Sequence, residues 1–450
     1  MSAPFSTFNP ATGEVLAHFN HVSYPEAEKE ILAAQKDFDI WRKTSFSERW
    51  ETLLALAELF RRYKSELADQ MNLEMGKLVS EAKAEIDKCI MTCEFYAKEG
   101  EKMLATQLIP SGYRSSHVSF LPLGVVLSIM PWNFPLWQVT RFAAPAIMAG
   151  NVILLKHADL TAGTAQIIGK IFGELRSDVK LLRNIFMDHK VAEQVIAHPL
   201  VRGVTFTGSS RGGREVAVSA AQHLKKTVLE LGGSDPYIIL ADADIEHAGK
   251  TCAKARLVNA GQSCVSGKRF IVHHSVAKQF CDVFVAAMKE ASLAPLAHKK
   301  FQSQIISQVE KLKALGGKVL TGGTAPQGDG AFYPATVLLF EKDHPEIHSE
   351  EVFGPVACVV VAKDDEEALA IANSSIYGLG GGIFTRNLTR GKELIEKELQ
   401  SGFVVVNDYV KSDPRLPFGG VKDSGYGREL GHFGIMEFVN IKTVAVGEIS

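Results

Sequence analysis

Three segments of the chain carry side chains that suit acyl transfer through a covalent intermediate. Cys264 ends a loop of small and polar residues, and no other cysteine stands at metal-binding or redox spacing from it. Glu230 follows an apolar run and precedes a Gly-Gly turn. A thiol nucleophile and a carboxylate that activates water suffice to form an acyl-enzyme and to hydrolyse it. Asn133, just before a helix that begins at Pro135, supplies an amide that can donate to a developing oxyanion.

A regular alternation of strand and helix patterns surrounds these segments. After helical periodicity over 25–105, strands are predicted at 124–130, 152–156, 201–207 and 226–231, with helices at 135–148, 161–175 and 212–221. This order predicts a parallel, doubly wound α/β sheet, which binds nucleotides at the carboxyl ends of its strands. The alternation restarts after Gly233 with a helix over 244–259, a strand over 268–273 and a helix over 276–291. A second α/β domain that bears Cys264 is therefore expected.

Composition and charge exclude several classes of protein. With 450 residues, 46% hydrophobic and 22% charged, the chain is predicted to be globular with two or three domains. A net charge of −2 gives no reason to expect nucleic acid or an anionic membrane as partner. The N-terminal residues lack a secretion signal, and the most apolar stretch, 121–137, is too broken and short to span a membrane. Six cysteines without a CxxC pair predict free thiols in a reducing cytoplasm and no metal site.

Motifs spread along the whole sequence resemble those of one enzyme family. They are Phe8–Glu14, Pro131–Pro135, Leu155–Lys156, Phe206–Ser209, Leu229–Gly233, Asn259–Cys264, Glu350–Pro355 and Phe418–Gly425. The 34-residue gap between Glu230 and Cys264 and the 23-residue gap between Asn133 and Lys156 also match. The chain resembles the aldehyde dehydrogenases, and among them the NAD-linked succinate-semialdehyde dehydrogenases.

The resemblance implies an aldehyde dehydrogenase-like α/β fold. Its Rossmann-type cofactor domain would comprise 1–105 and 123–232, and its catalytic domain 233–425. A small β element formed by 106–122 and 436–450 would join chains into a homodimer or homotetramer. Within that element, Val439, Ile441 and Val444 suit an edge strand.

The same resemblance implies an NAD site, in which NADP is also possible. Ser209 would contact the pyrophosphate, Gly213 would permit close helix packing, and Lys156 would meet ribose hydroxyls. Glu351 and Phe353 would lie at the nicotinamide ribose and ring. The complete expected set is Met130, Pro131, Trp132, Lys156, Asp159, Gly208, Ser209, Gly213, Leu231, Glu351 and Phe353.

Asp159 bears on the choice of cofactor. Many NAD-preferring relatives carry a glutamate at this position, and an acidic group there repels the 2′-phosphate of NADP. The shorter aspartate keeps the sign, and the neighbouring His157 could soften its field. The sequence therefore predicts a preference for NAD. Between 178 and 187 the chain lacks the glycine-containing loop of its relatives, which leaves the adenine-side contacts open.

For the reaction, the resemblance implies oxidation of a small-molecule aldehyde, with Cys264, Glu230, Asn133 and Lys156 as the catalytic residues. The Cys264 thiolate would add to the aldehyde, and Asn133 and the Cys264 amide would hold the oxyanion. After hydride transfer to the nicotinamide, Glu230 would activate the water that hydrolyses the thioester. Ser266 stands where several relatives have a second cysteine, so no disulfide switch beside Cys264 is available.

The helix that begins at Pro135 is informative about the substrate. Trp137 and Arg141 are four residues apart and share a helix face. An arginine there could hold a carboxylate in bidentate fashion while Trp137 walls the tunnel. The alternative for Arg141 is a structural salt bridge. The resemblance places Ser412 and Arg415 in the loop that lines the tunnel mouth.

These features favour succinate semialdehyde as the substrate. Another group of succinate-semialdehyde enzymes has an arginine where Val258 stands, so glutarate semialdehyde and a broader range of aliphatic aldehydes stay open. A CoA-acylating enzyme would not need Glu230 as a hydrolytic base, and its presence favours water as the acceptor. A non-catalytic structural protein that kept the fold would not need the intact set of Cys264, Glu230, Asn133 and Lys156.

Overall fold

The computed structural model describes residues 4–448, and its first part is a hairpin followed by four helices. These elements are β1 (Pro4–Phe8), β2 (Val15–Asn20), α1 (Tyr24–Trp41), α2 (Phe46–Arg62), α3 (Lys64–Met75) and α4 (Val79–Met103). The helical periodicity over 25–105 is confirmed, whereas the hairpin has no counterpart in the sequence prediction. Helices α1 and α2 each begin with a capping box, Ser23 with Glu26 and Ser45 with Glu48, which satisfies N–H groups of their first turns.

Residues 107–230 follow the predicted alternation to within a residue or two at each boundary. The elements are β3 (Gln107–Leu108), β4 (Ser115–Pro122), β5 (Val125–Met130), α5 (Trp137–Met148), β6 (Val152–His157), α6 (Ala162–Leu175), β7 (Leu182–Asn184), α7 (His189–Ala197), β8 (Val201–Thr207), α8 (Ser210–Gln222) and β9 (Lys226–Glu230). A 3-10 helix, Asp159–Thr161, precedes α6. Strand β7 and helix α7 were not expected, and β7 falls in the segment that departs from the family pattern.

Residues 235–446 hold the remaining elements. They are β10 (Asp235–Ile239), α9 (Ile245–Leu257), β11 (Gly267–His273), α10 (Ala277–Glu290), α11 (Lys299–Ala314), β12 (Lys318–Thr321), β13 (Thr336–Phe340), α12 (Glu346–Ser349), β14 (Val356–Ala362), α13 (Asp365–Asn373), β15 (Tyr377–Gly378), β16 (Gly380–Phe384), α14 (Leu388–Lys397), β17 (Phe403–Val406), β18 (Val421–Lys422), β19 (Gly425–Tyr426), α15 (Gly431–Met436) and β20 (Val439–Val446). A 3-10 helix, Val258–Gly261, joins α9 to the Cys264 loop. The helix, strand and helix predicted between 244 and 291 are confirmed as α9, β11 and α10.

The first large sheet has six strands in the order β19-β9-β8-β5-β6-β7. All neighbouring strands run parallel except β19 with β9. The chain passes from β5 to β6 and β7 on one side and then to β8 and β9 on the other, so the strand order reverses beside β5. The carboxyl ends of strands at such a reversal border a crevice in which ligands bind. Helices α1 to α5 contribute to one hydrophobic core with this sheet.

The second large sheet has seven strands in the order β12-β13-β14-β11-β10-β16-β17, parallel except β12 with β13. Successive residues of a strand point to opposite faces. Accordingly, Ile238 and Ile271 join one hydrophobic cluster, and Tyr237 and Phe270 join another. The chain returns to the first sheet at β19, whose first residue is Gly425. The predicted catalytic range, 233–425, ends at the same residue. The domain boundaries themselves stay predictions.

A third sheet joins two distant parts of the chain. Strand β20 pairs antiparallel with β4 along its full length, and β3 pairs with the other side of β4. The extended segment and the edge strand expected here are confirmed, and Ile441 on β20 is 60% exposed. Positions 1–3, 449 and 450 of the predicted domain ranges lie outside the described residues. Among residues 4–448, no helix combines the length and apolarity that crossing a membrane would require.

Candidate active site

The expected cofactor residues follow four adjacent parallel strands. Met130 ends β5 beside His157 of β6, and Thr207 of β8 lies beside Glu230 of β9. The segments that begin with Pro131, Ala158, Gly208 and Leu231 therefore meet at one edge of the sheet, next to the reversal in strand order. This is the edge at which a doubly wound sheet binds a nucleotide.

The β8–α8 turn has the construction of a phosphate-binding loop. Ser209 is the N-cap of α8, and its hydroxyl accepts from the Gly212 amide at 3.2 Å. A Cβ at Gly213 would clash with the side chain of Leu231, and a Cβ at Gly208 would lie 2.7 Å from Phe206 Cζ. The glycines let backbone and helix approach closely, and the helix N-terminus favours an anion. These residues fit the pyrophosphate of a dinucleotide.

Lys156 and Asp159 lie at the carboxyl end of β6. Burial lowers the pKa of Lys156, and the charges of Asp159 and Asp188 oppose that shift. Asp159 Oδ2 lies 3.0 Å from Nε2 of His21, with the carboxylate side chain 41% exposed. His157 is buried, its Nε2 lies 3.0 Å from the Pro135 carbonyl, and burial lowers its pKa while the charge of Asp159 opposes that shift. The imidazole within hydrogen-bond distance of Asp159 is that of His21, and an effect of His157 on the field of Asp159 stays a prediction.

The loop before Cys264 adopts an unusual backbone. Asn259, Ala260 and Gly261 have φ angles of 55°, 53° and 75°, and the left-handed region is costly for the first two. Arg256 supports this loop from α9. Its guanidinium is fully buried and donates to the carbonyls of Gly261, Val352 and Gly354. The same side chain thereby ties the Cys264 loop to the Glu351–Phe353 segment.

Asn133 is held by hydrogen bonds on both its side chain and its main chain. Its Nδ2 donates to the Gln262 carbonyl at 3.1 Å, which leaves the second amide hydrogen for another acceptor. Its carbonyl accepts from Asn259 Nδ2 at 2.9 Å and from Lys77 Nζ at 2.8 Å. Lys77 is ion-paired with Glu85 in the interior. These contacts fix Asn133 against the Cys264 loop.

Cys264 is half-buried and lines the main cavity of this region. Burial raises the pKa of its thiol to about 11, and the charges of Glu351 and Glu230 act in the same direction. The charges of Arg141 and Lys268 lower it. Lys268 donates to the Cys264 carbonyl at 2.7 Å and pairs with Glu351 Oε1 at 3.2 Å. At neutral pH without ligands, the Cys264 sulfur therefore carries its proton.

Glu230 is 2% exposed, and neither of its side-chain oxygens has a hydrogen-bond partner in the described structure. Burial raises its pKa well above the usual value for a carboxyl, while the charge of Arg141 opposes the shift. A Cβ at Gly419 would lie 2.7 Å from Glu230 Oε1, so glycine is needed there to make room for the carboxyl. A carboxyl with a raised pKa is a stronger base than an ordinary one once it has lost its proton.

Segments from the second sheet carry the residues expected at the nicotinamide, Glu351 and Phe353. Glu351 Oε1 accepts from the Gly233 amide at 3.1 Å, and a Cβ at Gly232 would clash with Glu351 Oε2. Phe353 meets the ring of Trp132 edge-on at a centroid distance of 5.8 Å. The amino end of β14 thus approaches the carboxyl ends of β5 and β9. This contact brings the two groups of predicted residues together.

The cavity at Cys264 has a volume of about 500 Å³. Three of the four predicted substrate residues, Trp137, Arg141 and Ser412, line it, as does Val258. Arg415 does not: its side chain is 71% exposed and pairs with Asp413 at 2.6 Å. Glu230, Asn133 and Lys156 are not among the residues that line the cavity.

Arg141 is already engaged in the structure. Its Nε pairs with Glu429, its Nη2 donates to Thr207 Oγ1 at 3.2 Å, and its guanidinium carbon lies 5.0 Å from the centre of the Phe418 ring. This geometry is the structural salt bridge considered as the alternative from the sequence. A role of Arg141 in binding a substrate carboxylate stays a prediction.

Sequence patterns missed several residues that shape the site, namely Lys77, Glu85, Lys88, Arg256, Lys268 and Glu429. All are charged residues, and several have a partner far along the chain, such as Lys77 with Asn133 and Glu429 with Arg141. Helical spacing could have flagged Glu85 and Lys88 as neighbours on one face of α4. For the others, no local signal distinguishes them from solvated charges. Within residues 4–448, no three His, Cys, Asp or Glu side chains are grouped so that they could hold a metal ion.

The raised pKa of Cys264 predicts how its reactivity depends on pH. Because only the thiolate is alkylated, the rate of modification by iodoacetamide should rise about tenfold per pH unit from neutral pH toward the thiol pKa. The measurement is labelling of the ligand-free protein at several pH values, read by mass spectrometry of the Cys264 peptide.

Cys264→Ala is the control for this experiment, since the other five cysteines are buried and should label slowly. A Cys264 rate that is already independent of pH in the neutral range would show that the thiolate forms without a ligand, contrary to the expectation.

Comparison with known proteins places this arrangement in a family. The chain matches the aldehyde dehydrogenase family over residues 1–444. It is 41% identical to a probable succinate-semialdehyde dehydrogenase [NADP(+)] of Synechocystis sp., with 98% of this chain and 99% of that protein covered. It is 40% identical to an NAD(P)+ succinate semialdehyde dehydrogenase of Escherichia coli, with 97% of each chain covered.

Solved structures agree with this result. The crystal structure of succinic semialdehyde dehydrogenase from Streptococcus pyogenes, in complex with NADP+ as the cofactor, superposes with a TM-score of 0.95 at 35% identity. The alignment covers 99% of this chain and 100% of the other. A putative aldehyde dehydrogenase from Burkholderia cenocepacia gives a TM-score of 0.95 at 30% identity, with 99% of this chain and 94% of that chain covered. By sequence, fold and the residues gathered around Cys264, the chain belongs to the aldehyde dehydrogenase family.

Proposed function

We propose that this enzyme oxidises succinate semialdehyde to succinate with a nicotinamide dinucleotide as the hydride acceptor. The observation that carries the substrate class is the cavity at Cys264, whose wall includes Lys88, a cation without an ion-pair partner among the described residues, while the wall carboxylates Glu81 and Glu85 bond to protein groups. An aldehyde that bears a carboxylate fits such a cavity better than a neutral one. The names of the relatives at 41% and 40% identity support the same substrate.

In the first half of the reaction, the Cys264 thiol would release its proton to solvent, and the thiolate would form a bond to the aldehyde carbon as the carbonyl π electrons move to the oxygen. The second Nδ2 hydrogen of Asn133 and the Cys264 amide would stabilise the oxyanion, and loss of one such donor typically costs about 3–4 kcal/mol of transition-state stabilisation. A bound nicotinamide would supply the hydride acceptor, and loss of the hydride from the substrate carbon, with the oxyanion returning to a carbonyl, would leave a thioester on Cys264. Lys156, buried at the end of β6, would orient the cofactor through its ribose.

In the second half, Glu230 would take a proton from the water that attacks the thioester. The raised pKa of this carboxyl suits a base that works near neutral pH. A CoA-acylating enzyme would have no such need for a base buried beside the nucleophile. Glu230 therefore supports hydrolysis to the free acid over acyl transfer to a thiol.

We propose NAD as the preferred cofactor, with NADP as the weaker one. The support is the carboxylate of Asp159 at the end of β6, where a negative charge would repel the 2′-phosphate. Asp159 also meets His21, which would reduce that repulsion when the imidazole is protonated.

The third sheet supports a homodimer or homotetramer. Strand β20 lies at the edge of the order β20-β4-β3 and exposes Ile441, and an edge strand with exposed apolar residues is a common site of association. The cytoplasmic location expected from six free thiols stays a prediction.

The substrate proposal predicts a selective enzyme. Steady-state kcat/KM should be highest for succinate semialdehyde among semialdehydes of three to six carbons, and higher for succinate semialdehyde than for butanal, because only the former offers a carboxylate to the cavity. Production of reduced nicotinamide, measured by absorbance, is the assay, and Cys264→Ala is the inactive control. A preference for the five-carbon semialdehyde would assign glutarate semialdehyde instead, and equal values for butanal would reject the carboxylated substrate.

Glu230→Gln separates the two halves of the reaction. The variant should still give a burst of one reduced nicotinamide per active site, followed by a steady state slower by about 100-fold or more, since a general base contributes this much. Rapid mixing with absorbance detection measures both phases. If the burst disappears together with turnover, Glu230 acts before the thioester forms.

Asp159→Asn tests the choice of cofactor. The substitution keeps the shape and removes the charge, so the NADP-to-NAD ratio of kcat/KM should rise about tenfold, because a like charge about 4 Å away costs about 1 kcal/mol or more. The KM for the aldehyde should not change. A ratio equal to that of the unmodified enzyme would show that Asp159 does not sense the 2′-phosphate.

A further inference from the structure

Lys88 is a cation in the substrate cavity that the sequence did not single out. It lies on α4, three residues after Glu85, and lines the cavity together with Cys264 and Trp137. Its Nζ donates to Ser412 Oγ at 2.6 Å and lies 4.2 Å from the centre of the Trp137 ring. Ser412 and Trp137 thus fix the position of the ammonium group at the cavity wall.

The other cations of the cavity wall already have anionic partners. Arg141 pairs with Glu429, and Lys411 pairs with Asp408 at 2.9 and 3.0 Å. Among the residues from 4 to 448, Lys88 has no carboxylate within ion-pairing distance. Its positive charge is therefore uncompensated.

The acidic groups near the cavity are also committed to other contacts. Glu85 pairs with Lys77 and accepts from the amides of Leu136 and Trp137. Glu81 and Asp413 also have partners within the protein. Glu81 accepts a hydrogen bond from the Asn259 amide at 2.9 Å, and Asp413 pairs with Arg415. None of these groups is free to neutralise Lys88.

An uncompensated cation in this position is costly without a ligand. Burial lowers the pKa of Lys88 to about 8, and Arg141 adds to the shift, while Cys89, Glu85 and Asp413 oppose it. A ligand carboxylate would restore the interactions that the ammonium lost on burial. Ser412 adds a second donor, because its oxygen accepts from Lys88 and its own hydrogen is free to point at the ligand.

We propose that Lys88 and Ser412 form the subsite that binds the carboxylate of the aldehyde substrate, with Trp137 beneath the ammonium group. This proposal rests on the proposed function, since it requires a carboxylated substrate. Arg141, held by Glu429 and Thr207, then stabilises the cavity wall, and its charge lowers the pKa of the Cys264 thiol.

The test compares Lys88→Met with the unmodified enzyme on succinate semialdehyde and on butanal. Loss of a charged hydrogen-bond donor should lower kcat/KM for succinate semialdehyde by about 10- to 100-fold, mostly through KM, because the carboxylate is bound equally in ground and transition states. The kcat/KM for butanal should stay unchanged, which also shows that the variant folds and binds its cofactor. Lys88→Arg, which keeps the charge, should retain most of the preference for the semialdehyde.

Lys83→Met is the matched control. It removes an exposed cation from the same helix, outside the cavity, so it should leave both substrates unaffected. Equal losses on both substrates in Lys88→Met would mean that Lys88 only supports the fold. A selective loss in Arg141→Leu with no change in Lys88→Met would assign the carboxylate to Arg141. Either result overturns the proposal, whereas absence of semialdehyde preference in the unmodified enzyme would instead reject the proposed function.

Discussion

The geometry of the site depends on the contacts that the buried ammonium group of Lys77 makes with Glu85 and with the Asn133 carbonyl. The ammonium group bridges Glu85 on α4 and the carbonyl of Asn133, and Glu85 in turn accepts from the first amides of α5. Removing one partner of such a buried pair costs about 3–5 kcal/mol, because the other charge is left without compensation. The pair therefore fixes the start of α5, and with it Asn133, Trp137 and Arg141, relative to α4.

The loop before Cys264 is held in turn by Asn133. Asn133 and Asn259 both bond to the Gln262 carbonyl, and Arg256 holds the loop to the segment before β14. These contacts stabilise a backbone that Asn259 and Ala260 would otherwise avoid. The arrangement places the nucleophile at the amino end of a strand in the second sheet, facing the carboxyl ends of the first sheet. Because these strand ends face each other, the candidate active site lies between the two sheets.

Burial favours the neutral forms of the two central groups, Cys264 and Glu230. The pKa values of the Cys264 thiol and the Glu230 carboxyl are both raised by the loss of water around them. A carboxylate close to an anionic thiolate is unfavourable, and the charge of Glu230 accordingly raises the pKa of the thiol. The cationic side chains of Arg141 and Lys268 act in the opposite direction on Cys264, so thiolate formation depends on a balance among distant charged residues.

From β5 to β9 the sequence alone predicted every strand and helix except β7 and α7, because apolar periodicity and turn residues are local signals. It also sufficed to place the expected cofactor residues that follow β5, β6, β8 and β9 together, since parallel strands bring their carboxyl ends to one edge. The tertiary structure decided which charged side chains meet. Lys88 and Ser412 are 324 residues apart, and His21 and Asp159 are 138 residues apart. Local spacing placed Arg141 on the correct helix face but could not show that Glu429 would pair with it, nor that Arg415 would turn to Asp413 and solvent. Such pairs depend on how separate elements pack, because the partner of a buried charge is chosen by proximity in space rather than by position along the chain.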